Sequence, residues 1–459
     1  MPIDRRDFLT SVAATLAASV FAAGERPPNI VMILCDDLGY GDLHSYGSNL
    51  RTPNLDRMAS EGVRFTQHYS ANPVCSPSRA GLLTGRYPTR VGVPRVLFPG
   101  DTGGLSLSET TMAGMLKNKN YKAMCIGKWH LGRPAQYLPT NRGFDEYFGI
   151  PYSNDMTPRP LMHNTEVIEE PAKLETLTPR YTEQAVKFIE LSKDAPFFLY
   201  LPHTYPHIPL AASSRFRGKS RAGLYGDVIE ELDWSAGEVL QALKRNGLDN
   251  NTLVMFSSDN GPWYQGSPGG LRGRKGMTYE GGVREPFIAQ FPGKIPAGQV
   301  CHGVTSMLDI FPTVARLTGA TLPEKPVDGM DIWPLMTGKQ KQMDRDALLY
   351  FDDIHLQCAR WGKWKLHIAR YNSAAYSPPP AVGRINLPVS PVELYDLEND
   401  LEESYDMAPE QPRVVAEIQS RIERLMKTFP PDIQEDYERT KARATVPYSP
   451  GALPRPDKT

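Results

Sequence analysis

Asn29-Ile-Val-Met-Ile-Leu-Cys35 runs straight into Asp36-Asp37, and the abruptness of that change decides how the chain is read. A strand with one wet face alternates apolar and polar residues; this one does not alternate, so both of its faces must be covered. That is the pattern of a parallel strand between two layers of helix. Working outward, Thr52-Pro53 opens a helix with a capping residue and a proline in its first turn, Gly62 closes it, and residues 63–69 form a strand. Residues 108–117 read as a helix ahead of a strand at 122–126, and 197–201 is another apolar strand. Val228, Ile229, Leu232, Ala236, Val239, Leu240 and Leu243 recur at helical spacing, stop at Gly247 and lead into a strand at 252–257. Strands alternating with helices predict an α/β fold on a mostly parallel, doubly wound sheet.

The character changes after about residue 345. Residues 347–351, 357–360 and 363–369 read as short strands with a Trp361-Gly362 turn between two of them; 392–397 adds a strand and 412–428 a helix. A small antiparallel sheet with one helix is expected there, with 371–391 a proline-rich loop and the tail from Pro430 too polar to pack. The division is therefore 1–24 as an export signal, 25–345 as an α/β catalytic domain and 346–459 as a C-terminal subdomain. The signal rests on Arg5-Arg6-Asp7-Phe8-Leu9 ahead of an alanine-rich run at 11–23, too short to span a bilayer. Paired arginines followed by Phe-Leu resemble a twin-arginine signal, so a periplasmic or secreted protein is expected, with an ordinary export signal as the alternative. No later stretch is long and apolar enough for a membrane span.

Composition narrows the function classes. In 459 residues, 51 Lys and Arg stand against 52 Asp and Glu, which leaves no field to hold nucleic acid. Hydrophobic residues at 40% and charged residues at 22% fit a globular chain with a sizeable core. Five cysteines are too few for a disulfide scaffold, and the odd number leaves at least one unpaired within the chain.

Polar residues gather at strand ends, where ligands of open α/β sheets bind. Asp36-Asp37 ends one strand and Asp259-Asn260 another, and such an all-oxygen set suits Ca²⁺ or Mg²⁺ rather than zinc. Either pair alone would equally serve as a cap or turn. Cys75 opens Cys75-Ser-Pro77-Ser-Arg79-Ala-Gly81-Leu-Leu-Thr-Gly-Arg86, where a helix N-terminus and Arg79 would favour a thiolate. A Cys-x5-Arg phosphatase loop is excluded, because Gly81 stands where its arginine is needed. Gly127-Lys128-Trp129-His130 brings a cation and a base to the same rim, His207 follows the strand at 197–201, and Lys275 lies in a glycine-rich stretch suited to an anion. A hard metal, several cations, two histidines and a nucleophile make up an inventory for cleaving an anionic ester.

Residues 75–86 resemble the signature of the type I, formylglycine-dependent sulfatases of the alkaline-phosphatase-like fold. So do 29–37, 127–130, Gly149-Ile-Pro-Tyr-Ser153, Ser258-Asp-Asn-Gly-Pro262 and 275–286, while Glu393-Leu-Tyr-Asp-Leu397 is similar to the family's C-terminal subdomain. The likeness is to the arylsulfatase A and N-acetylgalactosamine-6-sulfatase types. It implies that a formylglycine-generating enzyme oxidises Cys75, reading Cys75, Pro77 and Arg79, and that one hydroxyl of the aldehyde hydrate attacks sulfur while loss of the other's proton releases sulfate. It further implies one Ca²⁺ held by Asp36, Asp37, Asp259, Asn260 and the modified Cys75, with Arg79, Lys128 and His130 around the hydrate and His130 its base. His207 and Lys275 would grip the sulfate and assist the leaving alkoxide, with Ser153 bonded nearby.

The expected substrate is a sulfated saccharide, with aryl sulfates cleaved incidentally. A phosphonate or phosphate ester hydrolase of the same superfamily is the alternative enzyme, and a calcium-dependent carbohydrate-binding protein the alternative class. Arg95, His163, Trp263, Tyr264 and Arg272 are candidates for lining the pocket, each equally readable as loop packing.

Overall fold

The computed structural model describes residues 26–373, 376 and 383–444; the twin-arginine stretch lies outside them. The first eleven strands in chain order are β1 (Asn29–Cys35), β2 (Val63–Tyr69), β3 (Lys122–Ile126), β4 (Glu146–Gly149), β5 (Leu161–His163), β6 (Glu166–Glu169), β7 (Phe197–Pro202), β8 (Thr252–Ser258), β9 (Arg284–Gln290), β10 (Gln299–Cys301) and β11 (Thr305–Ser306). They form one sheet in the order β10-β2-β9-β8-β1-β7-β3-β4-β5-β6, with β11 also on β2. Its centre, from β8 through β1, β7 and β3 to β4, is parallel. Antiparallel pairings occur where β9 joins β2 to β8 and where β5 and β6 extend the far edge.

The lack of alternation in β1 has the expected cause. Ile30, Met32 and Leu34 pack into one cluster with Leu82, Met112 and Phe311, from helices Cys75–Thr84, Met112–Lys117 and Ile310–Thr318. Val31, Ile33 and Cys35 pack into the other with Met58, Tyr181 and Leu232, from helices Pro53–Glu61, Leu177–Leu191 and Gly223–Arg245. Each such side chain contributes about 1.5–3 kcal/mol on burial, so both faces hold the strand in register.

Several local expectations need correction. The helix expected over 108–117 begins only at Met112, because Thr111 caps it by accepting from the Gly114 N–H. Thr52 does not cap its helix through its side chain; its hydroxyl accepts from His44 N–H and donates to Asp56. Beyond residue 345, β12 (Leu348–Asp352), β13 (His355–Trp361), β14 (Trp364–Tyr371) and β15 (Asn386–Asp396) form a four-stranded antiparallel sheet. The loop expected over 371–391 thus ends at Asn386, where β15 pairs with Tyr371. The tail from Pro430 also packs: residues Pro431–Ala444 are a second helix beside Pro412–Met426. Its Ile433 and Tyr437 join Ile418, Ile422, Leu366 and Leu394 in one core, so a few apolar residues at helical spacing outweigh a polar composition.

Buried charges join this sheet to the segment carrying Lys275. Lys365 Nζ lies 3.1 Å from both Glu280 Oε1 and Glu403 Oε1, and the His367 ring is 2.8 Å from Glu403. Glu403 Oε2 accepts from the Glu280 N–H at 2.7 Å, and Tyr69 donates to Glu280 at 2.6 Å. Burial disfavours ionisation of Glu403, but Lys365 and His367 outweigh it and hold the carboxyl down at about 2. A carboxyl lowered on folding stabilises the fold above its unfolded pKa and loses that contribution as pH falls through the folded value. Glu403→Gln is therefore expected to cost about 3 kcal/mol near neutral pH, read as a lower denaturant midpoint. That cost should hold above about pH 5 and shrink toward pH 2; a cost independent of pH would mean that Glu403 is not ionised in the fold.

Candidate active site

Four turns at the carboxyl ends of neighbouring central strands aim side chains at one point. After β1 the backbone turns at Asp37, in the left-handed region at φ 65°, so Asp36 and Asp37 diverge from a single strand end. Asp259 and Asn260 follow β8, whose Ser258 pairs with Cys35. Asp259 Oδ1 accepts from the Asp37 N–H at 3.2 Å, and Asn260 Nδ2 donates to Asp37 Oδ1 at 2.8 Å. Past β3, Gly127 sits at φ 131°, where an added Cβ would fall 1.9 Å from the Pro202 carbonyl oxygen; only glycine allows the turn that presents Lys128 and His130. His207 follows β7, and Asn154 ties its loop by donating to the His207 and Pro209 carbonyls.

Cys75 is the first residue of helix Cys75–Thr84 and is buried. Its sulfur lies with oxygens of Asp36 and Asp259 in a group whose atoms are all within 4.8 Å of one another; Asp36, Asp37 and His207 form a second such group. One turn on, Arg79 reaches Asp259 at 2.8 Å and Asp36 at 3.4 Å and donates to the Lys128 carbonyl at 2.7 Å. Lys128 Nζ contacts Asp36 at 2.5 Å and Ser153 Oγ at 3.1 Å, and Lys275 Nζ contacts Asp37 at 2.8 Å. Three carboxylates thus face three cations in a space from which water is nearly excluded.

That arrangement sets the protonation states. Burial alone would raise Asp36, but Lys128 and Arg79 hold it far below the usual carboxylate range. Burial and the negative Asp36 push Asp259 upward. The Cys75 thiol is also raised, because burial outweighs Lys128 and Lys275; the thiolate expected from the helix terminus and Arg79 is not favoured. His130 is lowered by burial, Lys128 and Arg79 and is neutral; its Nε2–H donates to the Leu97 carbonyl at 2.9 Å, leaving buried Nδ1 as an unpartnered acceptor. His207 is lowered by burial and Lys275, with Nδ1–H donating to the Ile208 carbonyl at 2.5 Å and Nε2 3.7 Å from Asp37.

The donor set suits a hard cation. Asp36 Oδ1 and Asn260 Oδ1 are buried without a hydrogen-bond donor, a costly state that an ion would relieve, and oxygens outnumber the two softer atoms nearby, the Cys75 sulfur and a His207 nitrogen. Asp36, Asp37, Asp259 and Asn260 could hold such an ion.

Cys75, Arg79, Lys128, His130, Ser153, His207, Lys275 and the four acid-and-amide residues are thus drawn together, whereas three of the proposed pocket residues are not. Arg95 is paired with Asp101, His163 is exposed at the end of β5, and Arg272 donates to the Glu403 carbonyl and stacks on Tyr279. Trp263 and Tyr264 touch edge to face at 5.0 Å, and Tyr376 joins Trp263 at 5.8 Å with its ring 5.7 Å from Lys275 Nζ. Tyr376 had no signal in the sequence, standing alone in a proline-rich stretch. The Leu97 carbonyl could not have been found either, since a backbone acceptor leaves no mark on residue type.

Comparison with known proteins agrees with this geometry. The sulfatase family matches residues 28–320, and the C-terminal region of aryl-sulfatase matches 343–453. Human arylsulfatase A is 39% identical over 88% of this chain and 86% of its own, and mouse N-acetylgalactosamine-6-sulfatase 41% identical over 77% and 74%. Among solved structures, the PsFucS1 sulfatase from Pseudoalteromonas sp. superposes with a TM-score of 0.77 at 29% identity, covering 88% of this chain and 91% of that one. A phosphonate monoester hydrolase of Agrobacterium radiobacter, at 21% identity and a TM-score of 0.61, shares the fold. The chain belongs to the sulfatase family and is a sulfuric ester hydrolase.

Proposed function

We propose that the protein hydrolyses sulfate monoesters of a sulfated carbohydrate through a formylglycine made from Cys75 and one calcium ion. The observation that carries this is the position of Cys75: buried at a helix start, against two carboxylates, with a thiol that its surroundings keep protonated. A neutral thiol there is a poor nucleophile, which suits a side chain that serves as a precursor. When hydrated, the formylglycine supplies one hydroxyl to attack sulfur and a second whose proton is removed to free the sulfate. The calcium, held by Asp36, Asp37, Asp259, Asn260 and residue 75, supplies charge neutralisation and favours the hydroxylate.

The chain's own residues do the rest. Lys128 and Lys275 offer charge to the sulfate oxygens, and Ser153 holds Lys128 in place. His207 Nε2 faces the same centre and carries no proton at rest; it takes the proton lost by the attacking hydroxyl and returns it to the departing alkoxide oxygen. His130 accepts the hydrate proton at Nδ1, the tautomer that its bond to Leu97 fixes. Arg79 keeps Asp36 and Asp259 apart from one another's charge and aligned.

The saccharide reading draws on relatives. One solved neighbour, Ps i-CgsB at 30% identity, was crystallised with k-i-k-neocarrahexaose, and a Bacteroides thetaiotaomicron neighbour at 29% belongs to the metabolism of multiple glycosaminoglycans. The formylglycine-generating enzyme is the partner implied for Cys75. We also assign 1–24 to export by a twin-arginine-type route to the periplasm or medium, 25–345 to catalysis and 346–459 to the C-terminal subdomain. No helix among the described residues is long and apolar enough to cross a membrane.

Cys75→Ala is expected to lower turnover of an aryl sulfate at least a thousandfold while saccharide binding persists, and intact mass of the active protein should fit –CHO in place of –CH2SH. An unchanged sulfhydryl in active protein would refute the chemistry. Chelation should abolish activity and Ca²⁺ restore it, and Asp259→Asn should weaken Ca²⁺ binding by about tenfold or more in calorimetry. On matched aryl esters, sulfate should exceed phosphate in kcat/KM by roughly a hundredfold; the reverse order would make this a phosphate ester hydrolase.

A further inference from the structure

A second cleft, of about 960 Å³, lies outside the reaction centre where three loops meet: the one after β1, the one entering helix Gly223–Arg245, and the one between Asn260 and Lys275. That size is at the upper end of the roughly 300–1,000 Å³ of ligand clefts. Arg51, Lys219 and Arg221 line it, all exposed and, among the described residues, none in an ion pair, beside one half-buried carboxylate, Glu230. The only other acid at the wall, Asp42, is buried and fully used: it accepts from Tyr225 Oη at 2.5 Å, Gly39 N–H at 2.7 Å and Ser267 N–H at 2.9 Å.

The wall is rigid. Asp227 accepts from the backbone N–H groups of Gly218, Lys219 and Ser220 at 2.7, 2.9 and 2.7 Å, so the turn bearing Lys219 is fixed from below. Asp42 in turn joins the other two loops through Ser267 and Tyr225. Preorganised cations lose less freedom on meeting an anion than cations on a floppy surface. Arg and Lys with free donors on a built frame bind sulfate and carboxylate oxygens directly.

We propose that this cleft is an exosite for the anionic groups of a sulfated glycan chain, holding the polymer while another of its sulfates enters the reaction centre. The proposal rests on the saccharide reading above, since an anionic group far enough from the reacting sulfate to sit in a separate cleft belongs to an extended sulfated glycan. Asp42 and Ser267 belong to the same loops as Asp37 and Lys275, so a chain lying in the cleft is carried by the loops that form the active site.

The test uses the full-length protein with Arg51, Lys219 and Arg221 all changed to Gln. Affinity for a heparin-type sulfated polysaccharide is measured at low and high salt, alongside kcat/KM for a small aryl sulfate and the unfolding midpoint. The exosite requires polysaccharide affinity to fall about tenfold or more at low salt, with a flatter salt dependence, while aryl sulfate turnover and the midpoint stay within about twofold and a degree or two. Unchanged affinity overturns it, as does equal loss of binding to single-stranded DNA and to the glycan, which would make the patch a general polyanion surface. If the triple variant loses glycan affinity but the wild type releases no sulfate from any sulfated saccharide, the exosite stands and the substrate reading fails; turnover with unchanged glycan affinity is the converse.

Discussion

Everything in this molecule is arranged around the cost of keeping six charges dry at one end of a sheet. Asp36, Asp37 and Asp259 cannot share that space unless Arg79, Lys128 and Lys275 do too, because each buried ion carries a desolvation penalty of several kcal/mol. Balance alone is not enough. The groups must also be held in position, since an ion pair whose partners relax apart in a low-dielectric setting becomes two unpaid charges. The fold answers with rigid supports: two acids at the end of β1, two polar residues at the end of β8, a lysine on a glycine-bound turn after β3, and an arginine on the helix that Cys75 begins.

The same electrostatics separates the groups by task. Cations surround His130 and His207 and, with burial, keep both imidazoles neutral, so each retains a lone pair for a proton. Burial keeps the Cys75 sulfur protonated despite the nearby lysines. The chemistry of a sulfate ester makes sense of this division, for the substrate brings negative charge into a site where every cation is already close at hand and every base is uncharged.

Much of this was legible in the chain. Unbroken apolar runs reveal strands buried on both faces, and the change from Cys35 to Asp36 marks both a strand end and a ligand position, because in this class of sheet the two coincide. What stayed hidden had three physical causes. The antiparallel strand β9 begins in Arg-Glu-Pro, where charge masks a strand whose Arg284 is buried against Glu280 and whose Glu285 is buried outright between its neighbours. Contacts to backbone atoms, such as His130 with the Leu97 carbonyl, depend on chain path and not on residue type. The helix at Pro431–Ala444 escaped for a third reason: its two apolar anchors are sparse, and their worth is set by a sheet that the local sequence cannot see.

The C-terminal sheet is more than a covering. Through Lys365, Glu403 and Glu280 it grips the segment that carries Lys275, and through Arg272 the Glu403 carbonyl holds the same segment a second time. Lys275 is the cation with the longest lever, since its own strand-end support is a loop of glycines between Asn260 and β9. A loop of that composition has many conformations and would not by itself hold an ammonium within hydrogen-bond distance of Asp37. Tying the segment on one side of Lys275 by the Arg272 bond to the Glu403 carbonyl and on the other by the buried network of Glu280, Lys365 and Glu403 removes that freedom, so the position of one active-site charge is set by another charge network in a separate sheet.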